Sequence, residues 1–558
     1  MKKRLKQTLD ATLKGLIEKG KLNRAGQPDY VIEVPKNQNH GHFATNLPLT
    51  LASSQKRPPR EIANLIVDHL EDAGGIIEKV EIAGPGFINF TLTSDVWHEM
   101  LSGVISQGAE YGKSQYGLGQ RILVEFVSAN PTGPLHLGHG RGAALGDTLC
   151  RILSFSGYEV VREFYVNDAG QQIRNLGVSI YSRWKQKMDP HFPFPDGGYH
   201  GEYINHLADD ISLLTDLSSM NEAEAINFCS ERGKEKMLRE IREDLDAFRT
   251  AFDVWTSEAA LSESGRLDAA LEIIEKKGEL FQKDGALWIE TIKFGDDKDR
   301  VIRKKDGQYT YFASDIGYHL DKWERGFTKA VNIWGADHHG YVQRVKSALK
   351  ANGINESWLA VLLIQLVKLL DGGREIKMSK RAGHYVTLRE LIDEVGVDAA
   401  RFVFLTKNHD SPLDFDIELL KKNDSDNPVY YVQYAHARIC SIFRKAALEG
   451  IDLPQHPKMI FGRLGLEDEQ LLIRRIAEFP LLLEEICIHL EPHRLTYYLT
   501  DLASIFHRYF NSGTKIPGNR IVSKDKTLSQ ARLFLADAIR VVLHNGLQLL
   551  GIQAPQRM

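Results

Sequence analysis

Residues Arg121–Val127 read as a short apolar strand that runs into Gly133 and Pro134. A helical stretch then begins at Gly138 and lasts to about Gly157, and Val160–Tyr165 reads as the next strand. A strand, a glycine–proline turn, a helix and a second strand, in that order, open a nucleotide-binding α/β sheet. The turn holds His136-Leu137-Gly138-His139. Pro131, Gly133 and Pro134 stiffen it, and Gly138 permits a close backbone approach. The helix behind it presents unpaired N–H groups and the positive end of its dipole to an anion. His136 and His139, three apart, face one place and can donate to phosphate oxygens without a fixed charge. Gly142 and Ala143 leave room above the helix for a flat adenine. Alone, the pair also suits two surface histidines, or half a zinc site that lacks its third ligand and glutamate.

About 240 residues further on, the turn Asp371-Gly372-Gly373 leads to Lys377-Met378-Ser379-Lys380-Arg381. A pentavalent transition state at an α-phosphate gathers negative charge as pyrophosphate leaves. Ammonium groups that reach it only then lower the barrier without overtightening the ground state. Lys377 and Lys380 are such groups, Ser379 can hydrogen-bond nearby, and Gly372, Gly373 and Gly383 supply hinges. By itself the run reads as a solvated basic loop. Downstream of the histidine turn, it points to attack on the α-phosphate of ATP.

A chain of 558 residues is too long for one core. Four scattered cysteines suggest neither a disulfide framework nor a zinc knuckle. The basic N-terminus is broken by Asp10, Lys14, Glu18 and Lys19, so it reads as an amphipathic helix over about 3–20, with Leu5, Leu9, Leu13, Leu16 and Ile17 on one face. No run of about 20 apolar residues is long enough to cross a membrane, and a cytoplasmic protein is expected. A net charge of −4 neither favours nor excludes a nucleic-acid partner.

The pattern divides into a mixed α/β N-terminal domain (1–112), a Rossmann-like parallel-sheet domain (118–385), a connecting stem (386–425) and an all-α C-terminal bundle (426–558). Residues about 172–300 read as a mainly helical insertion into the sheet. Leu359–Leu370 reads as one strand, and Leu287–Phe294 as another. Helices are expected over 429–448, 466–490, 494–511 and 529–550.

The two signatures resemble those of class I aminoacyl-tRNA synthetases, and longer strings narrow the resemblance to the bacterial-type arginyl-tRNA synthetases. These are ANPTGPLHLGHGRGAALGD (129–147), EFYVNDAGQQI (163–173), WGADHHGY (334–341), KMSKRAGHYVTLRELIDEVGVDAARF (377–402), DNPVYYVQYAHARI (426–439) and GIQAPQRM (551–558). The resemblance implies formation of arginyl-adenylate from L-arginine and ATP with Mg2+, then transfer to the terminal adenosine of tRNA(Arg) by a cytoplasmic monomer with no protein-held metal.

It further implies that His136, His139, Lys377 and Lys380 are catalytic. ATP would also meet Pro131, Gly133, Gly138, Gly142, Met378 and Ser379, while Glu125, Asn130, Tyr311, Asp315 and His338 would hold arginine. A guanidinium is planar, permanently charged and has five donors, so it suits carboxylates in a fork; a lysine point charge does not. Asn39, Phe43 and Asn46 near the N-terminus, and Tyr434, Arg438, Tyr498 and Met558 in the anticodon-binding bundle, would face tRNA. Tyrosines in a bundle are otherwise packing residues, and Asn46 otherwise caps a helix. The rivals are a class I synthetase for another amino acid, a small-molecule nucleotidyltransferase with the same histidine turn, and a non-catalytic RNA-binding relative.

Overall fold

The computed structural model describes residues 1–24, 28–35, 37, 40–72, 74–376, 386–453 and 460–558. The chain forms two compact units. Residues 1–108, 445–477 and 512–538 make the first; residues 109–444, 478–511 and 539–558 make the second. The helical run expected as one bundle over 426–558 therefore contributes to both. Among the described residues, no helix is long and apolar enough to cross a membrane.

In the first unit the opening helix spans Lys2–Glu18 and buries Leu5, Leu9, Leu13 and Leu16, the face its periodicity predicts. A four-stranded antiparallel sheet runs in the order Ile32–Glu33, Phe43–Thr45, Phe87–Leu92, Ile77–Ala83. Phe43, Ile88 and Phe90 fill its core.

The second unit is built on a five-stranded parallel sheet ordered Leu359–Ile364, Lys329–Gly335, Arg121–Glu125, Glu159–Val166, Val254–Ser257. Strand order reverses direction between Arg121–Glu125 and Lys329–Gly335. Ligands of open α/β sheets bind at such a switch point, outside the carboxyl ends of the strands.

The helix Leu137–Phe155 comes close to Phe126, just beyond the central strand, through Gly146, and close to the helix Leu388–Val395 through Gly140. A Cβ at Gly146 would sit 2.2 Å from Phe126 Cγ, and one at Gly140 would sit 2.8 Å from Leu388 Cδ1. Gly142 is different, since its Cβ would meet Ile364 Cδ1 at an ordinary 3.5 Å. Gly146→Ala is therefore expected to destabilise by about 3 kcal/mol through overpacking, seen as a lower urea midpoint with an unchanged slope. Gly142→Ala keeps its midpoint or raises it slightly, because alanine is the better helix former.

Three expectations need correction. The stretch 172–300 is not wholly an insertion: after the helices Gln171–Gln186, Glu202–Leu214 and Glu222–Ala247, the chain returns to the sheet as its edge strand Val254–Ser257. The four residues are too short to stand out against a long helical run. Leu359–Leu370 is two strands, not one. Leu359–Ile364 stays in the parallel sheet; Val367–Asp371 joins a second sheet with Arg374–Glu375 and with Leu413–Asp416 from the expected stem. The break falls at Gln365, whose carbonyl accepts from Arg141 Nη1 (2.8 Å) and whose N–H donates to the His409 carbonyl (2.8 Å). Leu287–Phe294 is likewise a strand only over Ala286–Ile289, followed by a single turn at Thr291–Phe294.

Candidate active site

The strand Arg121–Glu125 ends on a strained turn. Val127 and Ser128 have φ of 67° and 40°, a region that a β-branched residue enters only when its surroundings hold it there. The Ser128 hydroxyl secures the turn, donating to Glu125 Oε1 (3.0 Å) and accepting from the Tyr165 N–H (3.1 Å).

Beyond it His136 caps the helix. The Gly138 N–H donates to His136 Nδ1 (3.1 Å), and the His136 N–H donates to His139 Nδ1 (3.3 Å). The rings stack with centroids 3.8 Å apart. Because each Nδ1 accepts, each neutral ring carries its proton on Nε2, which makes both Nε2 atoms donors at a helix N-terminus. A Cβ at Gly138 would lie 3.1 Å from the His136 ring, so a larger residue there would push the ring by a few tenths of an ångström. Pro131 is buried and Gly133 half-buried in the preceding turn. Gly142 and Ala143 are both buried, and Ile364 Cδ1 and the Val127 nitrogen would lie 3.5 and 4.0 Å from a Cβ at Gly142.

Lys377, Met378, Ser379 and Lys380 lie outside the described residues. The chain on either side of them is anchored: the Ile376 N–H donates to the Leu369 carbonyl (2.9 Å), Thr387 pairs with His136 in an antiparallel bridge, and the Leu388 N–H donates to the Leu135 carbonyl (2.8 Å). Thr387 and Leu388 thus lie directly on the histidine turn.

Acidic residues gather around Asp315, with Glu125 and Glu258 close enough to act on its carboxyl. Asp315 lies in the helix Tyr311–Glu324, one turn from Tyr311, and its Oδ2 accepts a short hydrogen bond from the Tyr341 hydroxyl. Burial raises the Asp315 carboxyl to about 7, opposed by the Tyr341 hydrogen bond and aided by the charges of Glu125 and Glu258. Glu258 opens the helix after the edge strand; it is 8% exposed, and among the described residues no donor reaches its Oε2. Burial, then Asp168, raises its carboxyl. Asp168 itself accepts from Ser257 Oγ (2.7 Å) and the Ala259 N–H (3.0 Å). Neighbouring carboxylates that repel one another create a demand for a cation.

Tyr311 is 65% exposed, so it is not core; its hydroxyl lies near Gly170. Asn130 Nδ2 donates to Gln172 Oε1 (2.6 Å). His338 is exposed just past the strand Lys329–Gly335, near Trp334 and Tyr341. Glu125 is 5% exposed and already has a cationic partner: Lys322 Nζ donates to its Oε2 at 2.5 Å. Glu258, Lys322, Tyr341 and Gln172 escape the sequence reading. Tyr341 and Gln172 lie in the strings 334–341 and 163–173, while Glu258 follows a four-residue edge strand within a largely helical stretch.

The other expected contact residues divide. In the second unit, Tyr434 stacks near Tyr430 (5.8 Å) and His507 (5.9 Å), and the Arg438 guanidinium lies 4.4 Å from the Tyr434 ring. Met558 lines an open cavity of about 450 Å³ with Tyr430, Asn427 and Gln433. Tyr498 is 4% exposed and packs on Phe479 (5.7 Å), so it is core and not a stacking platform. In the first unit Phe43 is also core, at 4% exposed. Asn46 precedes the helix Leu47–Gln55 without a side-chain cap; its Oδ1 instead accepts from the Val31 N–H (2.9 Å). Asn39 lies outside the described residues.

Comparison with known proteins bears on the whole length. Residues 2–92 match the arginyl tRNA synthetase N-terminal domain, 100–421 the class I (R) tRNA synthetase catalytic domain, and 432–558 the DALR anticodon binding domain. The chain is 45% identical over 560 residues to the arginine–tRNA ligase of Syntrophotalea carbinolica, with 100% of both covered. It is 46% identical over 562 residues to that of Desulfosudis oleivorans, again with 100% of both covered. An arginyl-tRNA synthetase structure from Campylobacter jejuni superposes with a TM-score of 0.75 at 35% identity, covering 84% of this chain and 100% of that one. The Thermus thermophilus arginyl-tRNA synthetase shares the fold at 22% identity, with a TM-score of 0.74 and 100% of both chains covered.

Proposed function

The chain belongs to the arginyl-tRNA synthetases, and from that membership we propose how its own residues carry the reaction. It is an arginine–tRNA ligase that uses ATP and tRNA(Arg). The observations that support the assignment of roles are the acidic cluster Asp315, Glu258 and Glu125 and the helix N-terminus capped by two histidines.

His136 and His139 donate from Nε2 to phosphate oxygens of ATP, which arrives with Mg2+ as part of the substrate. The positive end of their helix adds to this attraction. Asp315 and Glu258 receive the guanidinium as a fork, Tyr311 lies along its plane, and Asn130 takes the amino or carboxylate end of the substrate. The arginine carboxylate attacks the α-phosphorus, the bond to the β-phosphate oxygen breaks, and pyrophosphate leaves. Lys377 and Lys380 stabilise the charge that develops on it. The terminal ribose hydroxyl of tRNA then attacks the activated carbonyl carbon, and AMP departs. The enzyme works as a cytoplasmic monomer.

The test is arginine-dependent ATP–pyrophosphate exchange with a purified tRNA pool, run against each standard amino acid. Exchange and charging with arginine alone are expected; equal activity with another amino acid overturns the assignment.

Tyr434, Arg438 and Met558 face the anticodon. Stacking one base contributes roughly 1–3 kcal/mol, so Tyr434→Ala is expected to raise the KM for tRNA by about 5- to 150-fold. The KM for arginine stays the same. Tyr498→Phe, which preserves packing, leaves the KM for tRNA at its parental value.

A further inference from the structure

Behind the arginine site lies a buried polar network that the reaction does not itself use. Lys322 is fully buried, on the inner face of the helix that carries Asp315. Its ammonium donates to Glu125 Oε2 (2.5 Å) and Asn332 Oδ1 (3.0 Å), and lies 4.1 Å from the Tyr318 ring. Asn332 Nδ2 donates to His319 Nε2 (2.9 Å), and His319 Nδ1 donates to the carbonyl of Asp315 itself (2.8 Å). This direction is fixed, because burial and the neighbouring Lys322 push His319 down to about 3 and keep it neutral. The Tyr318 hydroxyl donates to Glu163 Oε1 (2.6 Å), and Arg325 pairs with Glu163 Oε2 (2.7 Å). One helix is thereby fastened to three adjacent strands, to two of them through the buried Lys322 ammonium and to the third through Tyr318 and Arg325.

We propose that Lys322 is a positioning residue that sets the charge of the arginine site: it holds Glu125 from behind, fixes the helix carrying Asp315, and neutralises enough of the acidic wall for a guanidinium to complete it. The inference rests on Asp315 being the guanidinium's partner. Asp315 is faced by Glu125 from the central strand, Tyr165 from the next strand, Glu258 from beyond the edge strand, Tyr341 from the following helix, and Lys322 on its own helix. Removing the one ammonium among them leaves Glu125 and Glu258 unopposed, so Asp315 ionises only at higher pH.

The experiment measures the KM for arginine and for ATP from pH 6 to 9 in four full-length enzymes: parent, Lys322→Met, Glu125→Gln, and the double variant. In Lys322→Met the KM for arginine at neutral pH is expected to rise about tenfold or more, with the KM for ATP within about threefold. The pH at which the KM for arginine begins to climb moves upward by about one unit. Glu125→Gln moves that midpoint downward, and the double variant returns it close to the parental value, because both charges are gone. If Lys322→Met does not fold, Glu125→Gln and the double variant still decide the matter. Midpoints that coincide in the folded variants overturn the proposal, as does equal loss of arginine and ATP binding in Lys322→Met. Asp315→Asn separates the two levels. If it leaves the parental pH dependence intact, the assignment of Asp315 fails. If it abolishes the dependence while the Lys322 and Glu125 variants keep the parental midpoint, only the role of Lys322 fails.

Discussion

Asp315→Asn is expected to weaken arginine binding by about 30- to 700-fold while the KM for ATP stays within a factor of about three. Taking one partner from a desolvated, hydrogen-bonded charge pair costs roughly 2–4 kcal/mol, and each 1.4 kcal/mol is tenfold. The amide keeps the shape and still accepts from Tyr341 through its oxygen, but it offers the guanidinium a dipole in place of a charge. The pH dependence provides a second signature. Burial and neighbouring carboxylates place Asp315 near 7 in the free enzyme; a bound guanidinium stabilises its anion and lowers that value. Below about pH 7, arginine must therefore expel a proton to bind, and the KM for arginine rises about tenfold for each pH unit descended. Above it, the KM is flat. The guanidinium stays charged throughout this window. In Asp315→Asn the rise disappears. Steady-state kinetics across pH 6–8 measure both effects. Equal damage to arginine and ATP binding would indicate a misfolded site.

His139→Ala and His136→Ala are each expected to lower kcat for adenylate formation by about 10²- to 10³-fold, the cost of deleting one preorganised donor from a developing anion. Pyrophosphate exchange at saturating arginine measures this, and the KM for arginine should hardly change. The two losses are not additive, because the rings stack and each is part of the same capping box. The cap also contributes to stability. His136→Ala removes the acceptor for the Gly138 N–H and should cost about 1 kcal/mol in a denaturant titration. That is too little to unfold the protein, so a large kcat loss with a small stability loss identifies the donor role. His136→Asn retains a capping side chain and should recover the stability without recovering kcat.

Much of this was legible along the chain. The strand at Arg121, the turn, the helix behind His136 and the apolar face of the first helix follow from propensity, turn chemistry and periodicity, which act over a few residues. Asp315 and Tyr311 were found as a pair one helical turn apart. A buried acid at Glu125 called for a cation, and the partner proved to be Lys322, from a helix nearly 200 residues away. The failures share a cause. Val254–Ser257 was missed because four residues carry little pattern and become a strand only by pairing with Glu159–Val166. Glu258 went unseen with it. Phe43 and Tyr498 are buried, and an aromatic's burial depends on what packs over it and not on its spacing along the chain.

Local chemistry alone thus determined the phosphate-binding turn, its two imidazoles and the succession of strands and helices, since those depend on backbone sterics and on hydrogen bonds between near neighbours. Which carboxylates face one another, which cation stands behind them, and hence the proton affinity of Asp315, were decided only by the order of strands in the sheet. Electrostatic interaction depends on distance through space and on exclusion of water, and neither is written in the spacing along a chain.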